Sequence, residues 1–169
     1  MKYTLSLFAL FVSHFFNPIY SQDKTNGQEI VAEFKISDAT KNGADITPTI
    51  LDQRAKLVIY KDVQNNNALC LSNFWQKNNT QSYGPIYGME TKHIPEDDKS
   101  YEVDIFFFQW RYINTYDTKK GTAKVELVKI YKPQGIYFEL KIIPENLDIL
   151  IYKGFMEGSL DLTVYDKKN

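Results

Sequence analysis

Gln109, Trp110, Arg111 and Tyr112 put more chemistry into fewer positions than any other stretch of this chain. An arginine fork can hold a carboxylate through two parallel hydrogen bonds, and a flanking tryptophan or tyrosine adds an apolar face with a polar tip. Arg54 and Arg111 are the only arginines, so planar recognition of an acid can rest on two positions at most. Trp75, Tyr83 and Tyr87 form a second aromatic group, suited to stacking or to a contact surface. The remaining titratable residues point to structure. His93 stands alone in TKHIPEDD, without ligand spacing, and reads as a solvated loop histidine. The run Glu96–Asp98 lacks the alternating oxygen ligands and central glycine of a calcium loop. Glu102 and Asp104 share a strand face as paired carboxylates sometimes do in glycosidases, but that face runs on into Phe106 and Phe108. Their expected role is to meet lysines of a neighbouring strand. Cys70, the only cysteine, lies between Leu69 and Leu71 and reads as a buried, inert thiol. There is no GxSxG elbow, no HExxH pair and no phosphate-cradling glycine loop. No catalytic residue, metal or cofactor is assigned.

The elements that must position these residues read as strands. Tyr101 to Asp117 is apolar on both faces: Phe106, Phe108, Trp110 and Tyr112 form one row, Val103, Ile105, Phe107 and Ile113 the other. Gln109 and Arg111 interrupt the second row, which places a polar, cationic spot on an otherwise inward face. Before it, residues 29–36, 56–62, 68–75 and 82–89 have strand character. Asn42-Gly43 supplies a tight turn. Thr47 as N-cap and Pro48 in the first helical position predict a short helix over 47–54. Pro85 cannot donate to a ladder, which predicts an edge or a bulge for its strand. After the aromatic strand come 122–132, 135–143, a strand begun by Leu147, Ile149 and Ile151, and a last one carrying Leu160, Leu162 and Val164. The apolar phase shifts within 122–132, predicting a bulge near Leu127-Val128. Consecutive hairpins of about nine short strands predict an all-β, antiparallel, eight- to nine-stranded up-and-down barrel with one short helix. A β-sandwich is the alternative.

Composition bounds the setting. Lys2 followed by the apolar run LSLFALFVSHFF and a small residue before Gln22 has the form of a signal peptide over 1–21, leaving a single all-β domain over 22–169. The run is too short to span a bilayer, which takes roughly 20 apolar residues. A secreted or periplasmic location without a membrane span after cleavage follows as an expectation. Lys and Arg number 20 against 21 Asp and Glu, which argues against a nucleic-acid partner, since that would need a basic face.

The string NGADITPTILDQRAKLVIYKD, Asn42 to Asp62, resembles the opening of lipocalin-like small secreted proteins of flavobacteria and relatives, in which a similar turn and short helix lead into an apolar strand. The resemblance implies a calycin-type barrel and an extracytoplasmic setting. Taken together, the residues suggest a non-enzymatic barrel that binds a small apolar or amphipathic ligand, with Trp110, Arg111 and Tyr112 lining or rimming an interior cavity and Gln109 beside them. The alternative is a surface-interaction module that contacts protein or glycan through Trp75, Tyr83 and Tyr87. Hydrolysis through Glu102 and Asp104 is a third reading and needs both carboxylates in a cleft.

Overall fold

Strict alternation of apolar and polar residues makes a ribbon with one greasy face, and curling that ribbon onto itself buries the face without leaving an edge. The computed structural model describes residues 27–158. Its strands are β1 (Gln28–Lys41), β2 (Ala44–Asp45), β3 (Ala55–Asp62), β4 (Ala68–Trp75), β5 (Thr80–Ile94), β6 (Val103–Asn114), β7 (Lys120–Lys132), β8 (Gly135–Pro144) and β9 (Leu150–Glu157), with one helix, α1 (Thr47–Asp52). Each long strand pairs antiparallel with the next along the chain, and β1 pairs with β9. That seam closes eight strands into a barrel, with the two-residue β2 appended to β1 and a 3-10 turn at Val63–Asn65. The sandwich alternative is thereby excluded. Among the described residues no helix is long and apolar enough to cross a membrane. The leader over 1–21 and the strand expected at Leu160, Leu162 and Val164 lie outside the described residues.

The interior is filled. Phe34, Leu57, Ile59, Leu71, Phe106, Phe108, Trp110, Leu127, Phe138, Leu140, Ile142 and Tyr152 belong to one buried cluster, as expected for an eight-stranded barrel, whose lumen is about wide enough for side chains. In β6 the even row is the inward one: Phe106, Phe108 and Trp110 are buried, while Phe107, Gln109 and Arg111 are exposed. The polar pair does not interrupt an inward face. It belongs to the outward row, whose apolar members keep company with solvent.

Three further expectations change. β7 pairs with β6 and β8 in unbroken register through Leu127 and Val128, so no bulge lies there. Ala123, Val125 and Leu127 are followed on the inward face by Lys129 and Tyr131; the apolar phase stops because the barrel end is polar. The register shifts occur instead at Ile30/Ala32 and Ile36/Asp38 of β1 and between Tyr87 and Glu90 of β5. Pro85 sits in an interior strand: it keeps its place opposite Cys70 of β4, but the β5–β6 ladder skips Gly84 and Pro85. A missing N–H thus costs a local gap rather than an edge position. Finally, β9 runs from Leu150 to Glu157, and its inward residues are Leu150, Tyr152 and Met156 rather than the row begun by Leu147, which is 69% exposed.

α1 forms one residue away from the expected frame. Ile46 is the N-cap and makes no side-chain cap. Instead the Asp45 carboxylate accepts the Thr47 backbone N–H (2.8 Å), and Thr47 Oγ1 accepts the Ala39 backbone N–H (2.9 Å), tying the helix to β1. The helix ends at Asp52 and leaves Arg54 in a left-handed conformation. Its one buried side chain, Ile50, plugs into the core cluster. Asn42 and Gly43 make the expected turn, with φ of 52° and 81°.

Candidate functional site

The two barrel ends differ in chemistry. At the end where β1 begins, His93 Nδ1 lies 2.8 Å from Asp104 Oδ1, Tyr131 donates to Asp104 Oδ2 (2.6 Å), and Lys129 donates to Tyr131 Oη (2.7 Å). Lys129 is 5% exposed. His93 therefore sits on β5 beside a carboxylate, not in a free loop. Asp104 meets the lysine of the next strand through a tyrosine, and both its oxygens are occupied. Among the described residues no three His, Cys, Asp or Glu side chains are grouped as metal ligands.

The opposite end, where α1 and the loops after β4, β6 and β8 gather, holds a cup of about 570 Å³. The inward row of β4 reads Leu69, Leu71, Asn73, Trp75, so the last two rungs leave the core and face this opening. Trp75, Ile46 and Leu150 pack against the core from the cup side, and Tyr152 stands at its floor. Thr80, Gln81 and Ser82 of β5, paired with the end of β4, continue the lining, and the exposed Tyr116 joins them. Among the described residues Lys41 is the one charged member of the lining, and Asp148 Oδ2 neutralises it at 2.9 Å. Lys41 and then Asn42 hold the Asp148 carboxyl below its ordinary value.

Two short relays order the cup. Trp75 Nε1 donates to Asn73 Oδ1 (3.2 Å), and Asn73 Nδ2 donates to Tyr152 Oη (3.0 Å). Ser82 Oγ donates to Asn114 Oδ1 (2.7 Å), and Asn114 Nδ2 donates to Tyr116 Oη (3.1 Å). Burial pushes the Tyr152 phenol up to about 12, against a partial opposing effect of the Asn73 amide. The folded state therefore holds this phenol neutral. Its contribution is complete below the ordinary value of 10.0 and is lost as the pH rises towards 12, on the order of 3 kcal/mol. Urea unfolding followed across that range tests the shift: Tyr152→Phe should flatten the alkaline loss of stability, and an unchanged alkaline limb would refute it. Tyr60, raised mainly by burial, leaves a residual slope of the same sign.

A second depression, about 630 Å³, crosses the outside of the barrel past Tyr60, Cys70, Pro85, Arg111, Thr122 and Glu145. Beside it the Arg111 guanidinium lies 4.5 Å from the Tyr87 ring centroid, and Tyr87 donates to Gln109 Oε1 (2.9 Å). Cys70 is buried, and burial raises its thiol.

The chain matches no protein-family model, no curated protein and no solved structure. The site is accordingly read from its own geometry. Of the four residues from Gln109 to Tyr112, Arg111 and Tyr112 line the outer depression together, and Gln109 and Trp110 do not line it. Gln109 and Arg111 point outward with Tyr87; Trp110 is core, its Nε1 buried without a hydrogen-bond partner among the described residues; and half-buried Tyr112 packs on Trp110 at 4.8 Å. Trp75, Tyr83 and Tyr87 are likewise divided. Trp75 faces the cup, whereas Tyr83 and Tyr87 are on the outer surface of β5. Sequence reasoning passed over Asn73 and Tyr152. Asn73 had a signal, being the one amide in the otherwise apolar row of β4; Tyr152 had none once β9 was read in the wrong phase.

Proposed function

We propose that the protein is a non-enzymatic barrel that binds a small amphipathic molecule in the cup under α1, in the extracytoplasmic setting expected from its leader. The observation that carries the reading is the cup itself: an indole and two aliphatic side chains at its base, amides and hydroxyls along its wall, and its single cation paired. Small-molecule sites have this make-up, mostly apolar with a few placed polar groups. Trp75 is the residue with the largest contact area to offer, and removing it opens the base of the cup while leaving the barrel core in place.

Native mass spectrometry of the protein purified from its own host tests the proposal. The wild type should carry a non-covalent small molecule, and Trp75→Ala should lose it. A wild-type protein that arrives bare, and takes up no amphipathic probe afterwards, would end the reading. The outer groove supports a second one, contact with protein or glycan through Tyr83, Tyr87 and Arg111. Retention of the molecule by Trp75→Ala together with its loss from Arg111→Ala would transfer the site there.

A further inference from the structure

The direction of the hydrogen bonds in the cup restricts what can bind. An indole N–H only donates, so the contact from Trp75 Nε1 requires the Asn73 oxygen to face it. The Asn73 amide nitrogen must then face Tyr152 Oη, and an NH2 group also only donates. Tyr152 Oη is therefore an acceptor in this bond, and its own hydrogen must point elsewhere. Among the described residues nothing accepts it, although Tyr152 is 1% exposed and lines the cup floor. Nearby, Asn114 Nδ2 donates to Tyr116 Oη, and among the described residues nothing accepts that phenol's hydrogen. A buried hydroxyl without an acceptor is costly enough that such groups are nearly always satisfied.

Resting on the reading of the cup as a binding site, we infer that Tyr152 is its specificity-determining donor and that the ligand is a neutral molecule whose inner end carries an accepting oxygen, such as a ketone, ester, lactone or ether. An amine would present donors to a donor. A carboxylate would meet the same phenolic donors but no unpaired cation among the described lining residues, since Lys41 is already paired with Asp148, and its charge would be desolvated without a counter-charge. Trp75 supplies the flat apolar surface for the body of the molecule, and Tyr116 a second donor at the rim.

Benzophenone, diphenylmethane and diphenylacetate form a probe set of similar apolar bulk with a neutral acceptor, no acceptor and an anion. Benzophenone should bind the wild type about tenfold more tightly than diphenylmethane, the worth of one hydrogen bond, and more tightly than diphenylacetate. Tyr152→Phe should abolish the preference for benzophenone over diphenylmethane. The infrared carbonyl stretch of bound benzophenone should fall, as it does in a hydrogen-bonding solvent; this readout uses the wild type alone and stands even if Tyr152→Phe does not fold. Equal binding of benzophenone and diphenylmethane, an unshifted carbonyl stretch, or a preference for diphenylacetate would each overturn the inference and leave the cup a binding site. Failure of all three probes to bind would overturn the cup reading and the inference with it.

Discussion

Gly154→Ala should open the barrel. Gly154 lies on β9 opposite the register shift of β1, where Ile36 pairs with Gly154 and Asp38 with Lys153. A methyl group added there would stand 2.0 Å from the Lys35 carbonyl oxygen and 3.0 Å from the Ser37 nitrogen. Both are backbone atoms of the partner strand, so no side-chain rotation relieves the clash, and the φ of +156° is one that residues with a Cβ rarely adopt. Relief requires β1 and β9 to part. That seam is the single pairing that converts a row of strands into a closed barrel, and parting it exposes two unpaired edges. The expected cost is about 3 kcal/mol or more, beyond ordinary overpacking because backbone must move. Urea and thermal unfolding measure it directly. An alanine variant as stable as the wild type would mean that β1 and β9 do not meet in this register.

Phe106→Ala and Phe107→Ala, adjacent in sequence, should differ by most of a core residue's worth. Phe106 is 1% exposed within the core cluster, opposite Leu127 of β7. Emptying it should cost about 3 to 5 kcal/mol, from lost transfer energy and the cavity left behind. Phe107 is 40% exposed on the outer surface, and its loss should stay within roughly 1 kcal/mol. The pair decides which row of the central strand faces inward. Comparable losses at both positions would place both rows under cover; a reversed order would return Gln109 and Arg111 to the interior.

That inward face is the point on which the chain read by itself was ambiguous. β6 has phenylalanines on both rows, so alternation says that it is a strand and gives two candidate faces. The closed barrel resolves this, because its lumen admits one row only, and the other, with Phe107, Gln109 and Arg111, must face out. The same rule misled the reading of β9. Leu147, Ile149 and Ile151 make a convincing apolar row, yet Leu147 lies in the turn before the strand and the row that enters the barrel contains Leu150, Tyr152 and Met156. An apolar residue at a strand end is weak evidence of burial, whereas a tyrosine can be buried wherever an amide meets its hydroxyl.

The local signals that did carry over are those in which chemistry acts within a few residues. Asn42-Gly43 turns because left-handed backbone is cheap there, and Pro48 opens a helix because its missing N–H is not needed. Alternation in β8 placed Ile136, Phe138, Leu140 and Ile142 on the inward face, which is where they lie. From such elements the all-β class and the antiparallel meander followed. What the linear order could not contain is closure. The β1–β9 seam joins residues more than a hundred positions apart, a separation at which no local propensity acts. Closure alone brings Asn73 of β4 to Tyr152 of β9 and sets Trp75 at the base of a cup. The strand character of the chain and its antiparallel order were thus written in the sequence; which face became the lumen, and where the cup opens, was decided by tertiary pairing.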